Sequence, residues 1–329
     1  MKIKKKLLII GGAGYIGSVL SPSLVKAGYQ VTVLDNLIYN QKKLQISNKN
    51  FKFILGDLRN KKIINNLVKS NDIIILLAGL VGDPITKKYP LVSSKINNIG
   101  IKHIIKVVKK NKIENFIFVS TCSNYGIVKN NILAKENHNL YPLSRYAKDK
   151  VKVENFIKKN IFRSKTTTTI LRFATAFGLA PRMRFDLTVN EFTKILHEKK
   201  NLEIYDTETW RPYCHVKDFS RVIIKVLQSS SEKVGNQIFN CGGVKNNFNK
   251  YNIVNKIKKY FPGPKITFLK GQTKDMRSYL VNFSKIKKIL NFTPKYSLDY
   301  GIKEIIKFLK SNKNKPGKDK FGNYLIKNI

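Results

Sequence analysis

The chain has 329 residues, of which 42% are hydrophobic, and a formal net charge of +43. This length can bury a sizeable core and favours one two-lobed enzyme over two independent modules. We expect no membrane span, because no apolar run reaches about eighteen residues, and a cytoplasmic location, because the apolar run after the basic N-terminus is too short for a signal peptide. The three widely separated cysteines, Cys122, Cys214 and Cys241, predict neither a disulfide framework nor a zinc site.

The lysines of this basic chain are spread along its whole length and do not form one stripe. A strong positive charge can indicate a nucleic-acid partner, because basic proteins gain affinity by displacing counterions from phosphates. A general bias towards Lys, Asn and Ile explains the spread better, and we predict no nucleic-acid partner. The charge would still attract anionic substrates or acidic membrane surfaces.

Short apolar runs alternate with segments of helical spacing through the first half of the chain. Strands are predicted at residues 7–10, 31–34, 51–55, 73–77, 115–119 and 167–171, and helices at residues 15–27, 61–70, 93–111 and 146–159. From about residue 175 the pattern loosens, with helices predicted at residues 189–199, 220–228, 251–260 and 284–290. The alternation predicts an α/β protein with a Rossmann-type doubly wound parallel sheet, whose ligands lie at the carboxyl ends of the strands.

The loop after the first predicted strand has the pattern Gly11-x-x-Gly14-x-x-Gly17, and Asp35 follows the second strand. Glycines let the backbone turn tightly and let a pyrophosphate approach the N-terminus of the next helix. A carboxylate after the second strand accepts hydrogen bonds from ribose hydroxyls and repels a 2′-phosphate. A glycine-rich loop alone would be weak evidence, but in this setting it predicts NAD, not NADP, as the cofactor.

Tyr146 and Lys150 lie four residues apart at the start of a predicted helix, so their side chains face the same way. An ammonium near a phenol stabilises the phenolate and lowers its pKa, which makes a base usable near neutral pH. The spacing alone is not specific, because the chain repeats it at Tyr39/Lys43, Tyr125/Lys129 and Tyr213/Lys217. Context selects Tyr146, since its helix follows the fifth strand, from whose tip the polar run 120–123 leaves.

Further motifs occur in a fixed order along the chain: Gly56-Asp57-Leu58, Leu77-Ala78-Gly79, Asn97-Asn98-Ile99-Gly100, Ser120-Thr121-Cys122-Ser123-Asn124-Tyr125-Gly126 and Arg211-Pro212-Tyr213-Cys214-His215-Val216-Lys217-Asp218. With the glycine loop and the Tyr146/Lys150 pair, they make roughly residues 6–310 resemble the extended short-chain dehydrogenases/reductases. Within these, the chain is similar to the NAD-dependent epimerase/dehydratase family, which acts on nucleotide sugars. Residues 177–190 resemble a subset that includes C4-acting nucleotide-sugar and GDP-heptose oxidoreductases.

The resemblance implies a role for each matching residue. Thr121 would hydrogen-bond the reacting hydroxyl, Tyr146 would be the base, and Lys150 would hold the nicotinamide ribose and acidify the phenol. The implied NAD contacts are Gly11, Gly14, Tyr15, Ile16, Gly17, Asp35 (adenosine ribose), Asn36, Asp57 (adenine amino group), Leu58, Ala78, Gly79, Asn98, Tyr146 and Lys150. Asn190, Arg211 and Arg277 match positions that grip the substrate's nucleotide diphosphate, a role that suits the planar fork of a guanidinium. No metal is implied.

The resemblance also divides the chain. Residues 1–175, with about 212–243, would form the NAD-binding domain, and residues of about 176–211 and 244–310 a smaller C-terminal nucleotide-sugar-binding lobe. Residues 311–329 are predicted to be a poorly ordered basic tail. Helices 93–111 and 146–159 lie where members of the family pair through four helices, so the resemblance implies a homodimer.

The predicted reaction is epimerisation of a nucleotide-diphosphate sugar. NAD would accept hydride from a sugar carbon, expected to be C4, as Tyr146 removes the hydroxyl proton, and hydride would return to the opposite face of the keto intermediate. One alternative is a one-way C4 dehydrogenase or reductase. Another is a non-catalytic Rossmann protein that binds RNA or a partner, although such proteins tend to lose the active-site Tyr or Lys. The family's 4,6-dehydratases have an Asp-Glu pair where this chain has Cys122 and Ser123, which argues against dehydration.

Overall fold

The computed structural model describes residues 5–129, 132–269, 277–311 and 321–327. The first part of the chain forms β1 (Lys6–Ile10), α1 (Gly17–Lys26), β2 (Gln30–Asp35), β3 (Phe51–Leu55), α2 (Lys61–Lys69), β4 (Ile73–Leu76), α3 (Asp83–Lys88), α4 (Pro90–Ser94), a π-helical segment (Lys95–Gly100), α5 (Ile101–Lys110), β5 (Asn115–Thr121), a 3-10 turn (Cys122–Tyr125), β6 (Leu133–Ala134), α6 (Arg145–Asn160) and β7 (Thr167–Phe173). The second part forms β8 (Thr175–Phe177), α7 (Thr188–His197), β9 (Leu202–Ile204), β10 (Trp210–His215), α8 (Val216–Leu227), α9 (Ser231–Val234), β11 (Gln237–Cys241), β12 (Asn247–Asn249), α10 (Lys250–Lys258), β13 (Ile266–Phe268), β14 (Leu280–Val281), α11 (Ser284–Leu290) and α12 (Leu298–Ser311). No helix in these ranges is both long enough and apolar enough to cross a membrane.

A parallel sheet of seven strands, in the order β11-β7-β5-β4-β1-β2-β3, confirms the predicted fold. The chain order reverses between β1 and β4, which is where open α/β sheets bind their ligands. The six predicted strands are all present, and β11 is a seventh. Its sequence lacks a continuous apolar run because Gln237 and Asn240 interrupt it, and the buried Asn240 amide is satisfied by donating to the carbonyl oxygens of Ala134 and Asn282.

Helices cover both faces of this sheet because alternate residues of each strand point to opposite sides. Leu7 and Ile9 of β1 pack in one apolar cluster with residues of α1 and α8. Leu8 and Ile10 pack in a second cluster with residues of α2 and α5. All four side chains are at most 1% exposed, so the strand that carries the glycine loop is held rigidly from both sides.

The helix predicted over residues 93–111 is interrupted. Its middle, Lys95–Gly100, is a π-helix between α4 and α5, and such an insertion changes which residues face the sheet. Asn97 consequently faces inward, where its side chain accepts a hydrogen bond from the backbone N–H of Leu80 (2.8 Å) and donates one to the carbonyl oxygen of the same residue (3.0 Å). The π-helix thus fixes the loop that follows β4.

A smaller second lobe is built from a three-stranded sheet in the order β12-β10-β8, the pair β13-β9, and helices α7, α10 and α12. Its core includes Phe177, Val189, Leu196, Ile253 and Ile302. The sequence pattern did not predict α12.

The prediction of a poorly ordered tail from residue 311 is wrong for residues 321–327. Ile326 is 8% exposed and packs in the apolar cluster that contains Leu8 and Ile10. The backbone N–H of Lys327 donates to the carbonyl oxygen of Ile38 (2.9 Å). Burial of one isoleucine side chain contributes about 1.5–3 kcal/mol, which composition-based reasoning on a lysine-rich segment does not capture.

Candidate active site

A cavity of about 360 Å³ opens at the carboxyl ends of the central strands and extends to the second lobe. This volume is within the usual range for small-molecule sites. The sequence-predicted residues that line it are Gly11, Gly14, Tyr15, Ile16, Gly17, Asp35, Asn36, Asp57, Leu58, Ala78, Gly79, Thr121, Tyr146, Lys150, Arg211 and Arg277. The fold therefore brings the glycine loop, the Tyr/Lys pair and the two arginines to one site.

The glycine loop requires glycine where its backbone passes close to other segments. Gly11 has φ +86°, and a Cβ there would lie 2.6 Å from the Cα of Ala78. A Cβ on Gly17 would collide with the backbone of Gly12. The Asp35 carboxylate accepts hydrogen bonds from the N–H groups of Ala13 and Leu37, both at 2.9 Å, so this carboxylate is tied to the loop. Burial raises the pKa of Asp35, and these two hydrogen bonds partly oppose the rise.

Asp57 lies beside the loop that follows β3. It accepts two hydrogen bonds from the guanidinium of Arg59 (2.9 and 2.8 Å) and one from the amide of Asn36 (2.8 Å). Burial raises the pKa of Asp57, but the hydrogen bonds from Arg59 and Asn36 outweigh it and leave the pKa below its ordinary value. A lasting negative charge is therefore held at the edge of the cavity.

Thr121 is the last residue of β5, and its hydroxyl accepts a hydrogen bond from the N–H of Ser123 (3.1 Å). This contact caps the 3-10 turn and fixes the threonine side chain at the cavity wall. The thiol of Cys122 points away from the cavity and donates to the carbonyl oxygen of Arg172 (3.2 Å). Burial raises the pKa of Cys122 far above its ordinary value, so this cysteine is a neutral packing residue.

Tyr146 lies in the first turn of α6, whose N-terminus is capped by Ser144. Lys150, one turn later, donates a hydrogen bond to the carbonyl oxygen of Val119 (2.7 Å). Its Nζ lies 4.6 Å from the ring centre of Phe118 and 5.9 Å from that of Tyr146. Burial lowers the pKa of Lys150 to about 8, against an opposing effect of the nearby Glu154 carboxylate.

The predicted lowering of the Tyr146 pKa is wrong for this structure. Burial raises the pKa of Tyr146 above its ordinary value of 10, and the attraction of the Arg184 cation only partly opposes this. The physical reason is that the phenolate loses solvation, while the Lys150 ammonium hydrogen-bonds the Val119 carbonyl.

Two predicted site residues do not line the cavity. Asn98 lies within the π-helix, and its Oδ1 is buried without a hydrogen-bond partner in the described part of the chain. Asn190 is fully buried at the base of the loop that follows β8. It accepts from the N–H of Gly178 (3.0 Å) and donates to the carbonyl oxygen of Arg184 (2.9 Å) and to the hydroxyl of Tyr15 (3.2 Å). In this structure Asn190 positions the loop.

Several cavity residues were missed by the sequence reasoning. They are charged or polar groups that come from loops and from the C-terminal segment: Tyr39, Asp83, Arg182, Arg184 and Asn323. Arg184 forms an ion pair with Asp186, and Arg277 forms one with Asp83 (2.7 Å). The motif at residues 177–190 was the available signal for Arg182 and Arg184, but spacing alone does not show which of its side chains face the cavity.

A family model described as the NAD dependent epimerase/dehydratase family matches residues 7–242. The chain belongs to this family. It is therefore an NAD-dependent enzyme of the epimerase/dehydratase type, and NAD is its cofactor.

Relatives of this family member support an epimerase at the general level. A putative UDP-glucose 4-epimerase of Methanocaldococcus jannaschii is 26% identical and covers 93% of this chain and 99% of its own. A crystal structure of UDP-glucose 4-epimerase from Thermotoga maritima, with UDP-glucose, has a TM-score of 0.83 at 23% identity and covers 94% of this chain and 100% of that one. A UDP-glucuronic acid 4-epimerase from Bacillus cereus, in complex with UDP-glucuronic acid and NAD, has a TM-score of 0.82 at 25% identity and covers 93% and 99%.

Proposed function

We propose that the protein is a nucleotide-sugar 4-epimerase, which oxidises C4 of the sugar and reduces the resulting keto intermediate from the opposite face. The observation that carries this proposal is that Thr121, Tyr146 and Lys150 line the same cavity as the glycine loop. The names of the relatives in Methanocaldococcus, Thermotoga and Bacillus support C4 as the reacting carbon.

The residues of the cavity fit NAD. Gly11, Gly14 and Gly17 line the cavity without side chains, so a diphosphate could approach the backbone of the loop. The acidic side chains of Asp35 and Asp57 stand beside that turn and can accept hydrogen bonds from the adenosine part. NAD supplies, when bound, the hydride acceptor of the reaction and a cationic nicotinamide ring.

Proton transfer is the task proposed for Tyr146, assisted by two neighbours. The Tyr146 phenolate oxygen takes the proton of the C4 hydroxyl and becomes a phenol, and the Thr121 hydroxyl hydrogen-bonds the reacting oxygen. Lys150 remains protonated at neutral pH, because its pKa of about 8 lies above 7. Since burial alone keeps Tyr146 protonated, the phenolate would be favoured by the cationic charge of Lys150 and, when bound, of oxidised NAD.

The nucleotide diphosphate of the substrate is assigned to Arg211 and Arg277. Both line the cavity. The Arg211 guanidinium lies 5.2 Å from the ring centre of Tyr279, which restricts its orientation. Asp83 balances part of the charge of Arg277 and would be partly displaced by a phosphate.

Dehydration of the sugar is not part of this proposal. Loss of water needs an acid and a base beyond the tyrosine. Cys122 points into the core, and Ser123, which reaches the cavity, hydrogen-bonds the hydroxyl of Tyr279 (3.2 Å) and carries no charge.

The decisive experiment compares Tyr146→Phe with Tyr141→Phe, a substitution at an exposed tyrosine. Tyr146→Phe should slow turnover of UDP- or GDP-sugars by about 10²- to 10⁴-fold while NAD binding, measured by calorimetry, remains. Tyr141→Phe should have normal turnover. Near-normal activity of Tyr146→Phe would contradict the mechanism. If NADH accumulated in stoichiometric amount and the proton NMR spectrum showed no C4 epimer, the reaction would be one-way oxidation and not epimerisation.

We also propose that the enzyme is a homodimer. Leu91 and Ile99 are 76% and 62% exposed on the stretch that runs from α4 into the π-helix. Pairing of α5 and α6 with a second copy would cover apolar side chains of this kind. Light scattering should give twice the chain mass, and Ile99→Lys should shift the population towards monomers. A monomeric wild-type protein would refute the dimer.

The described cysteines fit the proposed cytoplasmic location. Cys122, Cys214 and Cys241 are all buried and form no disulfide. Thiols of this kind persist in compartments that keep them reduced.

A further inference from the structure

We propose that residues 321–327 form a strap that holds the Arg182 guanidinium against the diphosphate of bound NAD and slows release of the cofactor. We call these residues the C-terminal strap. The proposal rests on NAD as the cofactor and does not depend on the epimerisation step.

The strap is joined through its backbone to the loop that follows β8. The N–H of Phe185 donates to the carbonyl oxygen of Phe321 (2.6 Å), and an Nη of Arg182 donates to the carbonyl oxygen of Gly322 (3.1 Å). The rings of Phe185 and Phe321 also meet edge to face, with their centres 5.9 Å apart. The strap therefore fixes both the backbone and the cation of this loop.

The same strap reaches two loops of the NAD-binding side. The amide of Asn323 donates to the carbonyl oxygen of Val81, after β4 (3.0 Å), and the N–H of Lys327 donates to the carbonyl oxygen of Ile38, after β2 (2.9 Å). Asn323 itself lines the cavity. One short segment thus bridges three cavity loops. Opening of these contacts would widen the path by which a bound cofactor leaves the cavity.

Arg182 is a buried cation that forms no ion pair with any residue that the structure describes. Its side chain is 8% exposed and lines the cavity, and its Nε has no hydrogen-bond partner in the described ranges. The guanidinium carbon lies 5.0 Å from the ring centre of Tyr39. Burial, followed by repulsion from Arg184, lowers the pKa of Arg182 to about 10, and the carboxylates of Asp186 and Asp35 only partly oppose this. Because a buried guanidinium without an ion-paired carboxylate is costly, the open Nε at the cavity favours an anionic ligand.

The position of Arg182 favours the diphosphate of the cofactor over that of the substrate. Its backbone N–H donates to Ser18 Oγ (3.3 Å), in the first turn of α1, where the glycine loop ends. The hydroxyl of Tyr15, next to that turn, donates to the carbonyl oxygen of Gly178 in the same loop as Arg182 (2.5 Å). The positive end of the α1 helix dipole and the Arg182 cation would therefore face one phosphate group from two sides.

The first test compares Arg182→Met with Arg163→Met in the full chain. Both substitutions replace an arginine by methionine, but the side chain of Arg163 is exposed and does not line the cavity. Arg182→Met should raise the Kd of NAD by about ten- to a hundredfold, the usual effect of losing a charge-assisted hydrogen bond. Arg163→Met should leave the Kd within about twofold. Titration of NAD by calorimetry or of NADH by fluorescence gives both values.

Thermal unfolding without ligand separates a binding role from a structural one. Removing a buried cation that has no ion-paired carboxylate should leave the Tm of the NAD-free protein unchanged or higher, while the rise in Tm on adding NAD becomes smaller. Two results together would overturn the proposal in favour of a packing role. These are a lower Tm of NAD-free Arg182→Met and an unchanged Kd of NAD in Arg182→Lys.

The second test addresses the strap. Asn323→Ala should accelerate dissociation of NAD several-fold, measured by stopped-flow displacement of NADH, because it frees the loop at Val81. An unchanged dissociation rate would refute retention by the strap. A weaker Kd for UDP with an unchanged Kd for NAD in Arg182→Met would assign the guanidinium to the substrate diphosphate and overturn our assignment. None of these measurements needs turnover. Failure of the strap proposal can therefore be distinguished from failure of the epimerase proposal.

Discussion

The carboxylate of Glu154 and the guanidinium of Arg172 form an ion pair of 2.7 Å in which neither side chain is more than 1% exposed. Glu154 also accepts hydrogen bonds from Ser120 Oγ (2.5 Å) and from the amide of Asn124 (2.8 Å). The pair lies one helical turn after Lys150 and joins α6 to β5 and β7. The pair therefore holds α6, which carries Tyr146 and Lys150, against β5, which ends at Thr121.

Glu154→Gln should destabilise the protein by about 3–5 kcal/mol, because Arg172 would remain as a buried cation without its partner. The free energy of unfolding in urea measures this loss. Adding Arg172→Met to the same chain should recover part of it, since both charges are then absent. A loss below about 1 kcal/mol in the single variant would show that water or another group solvates Arg172.

Lys150→Met should stabilise the protein at pH 7 while it abolishes turnover. The lowering of the Lys150 pKa from 10.5 to about 8 corresponds to a cost in folding free energy of roughly 3 kcal/mol, which the substitution removes. Loss of the hydrogen bond to Val119 subtracts about 1 kcal/mol from this gain. Urea unfolding should therefore show a gain of about 2 kcal/mol.

The gain from Lys150→Met should depend on pH in one direction. The folded-state pKa lies below the unfolded value, so the ammonium costs stability at every pH below about 8. The cost disappears as the pH rises from about 8 to 10.5, where the folded chain has already released the proton. The difference between variant and wild type should thus shrink across that window, and a constant difference would contradict burial of a charged Lys150.

Asp35→Asn should relax the preference for NAD. The substitution retains the size of the side chain and the oxygen that accepts from Ala13 or Leu37, but removes the negative charge that repels a 2′-phosphate. We expect the Kd of NADP to fall by at least about tenfold relative to that of NAD, measured by titrating both. An unchanged ratio would show that steric exclusion, and not charge, selects the cofactor.

Asn190→Ala should lower the free energy of unfolding by about 2–3 kcal/mol, because the N–H of Gly178 and the carbonyl oxygen of Arg184 would lose a buried partner. If Asn190 only positions the loop, the Kd of UDP should change less than in Arg211→Met. Calorimetric titration of UDP with both variants makes this comparison. A larger loss of UDP affinity in Asn190→Ala would return this residue to direct substrate contact.

Local patterns in the sequence predicted the sheet and most of the cavity. Apolar strands such as 73–76 are buried on both faces and need no distant partner to be identified, and the glycine loop depends on residues that are close in the chain. Asn98 was assigned to the cofactor by the resemblance, and residue spacing gives no sign of the π-helix in which it lies outside the cavity lining. The high pKa of Tyr146 results from burial, which only the assembled lobes create.

The contacts between the strap and Arg182 could not be predicted from local sequence patterns either. Their contacts join residues about 140 positions apart, and a lysine-rich stretch gives no periodic signal for such packing. The charge of Arg182 was visible in the sequence, but its burial without an ion pair among the described residues was not.

Strand β11 pairs with β7 along Thr169–Phe173, although β8, α7, β9, β10 and α8 lie between the two strands in the chain. A fragment that stops near residue 175 would therefore leave the N–H and carbonyl groups on this side of β7 without their neighbour. Exposed edges of this kind recruit strands from other molecules. Truncated copies of the enzyme, from premature stop codons or proteolysis, should accordingly accumulate as insoluble aggregates and not as a working nucleotide-binding half.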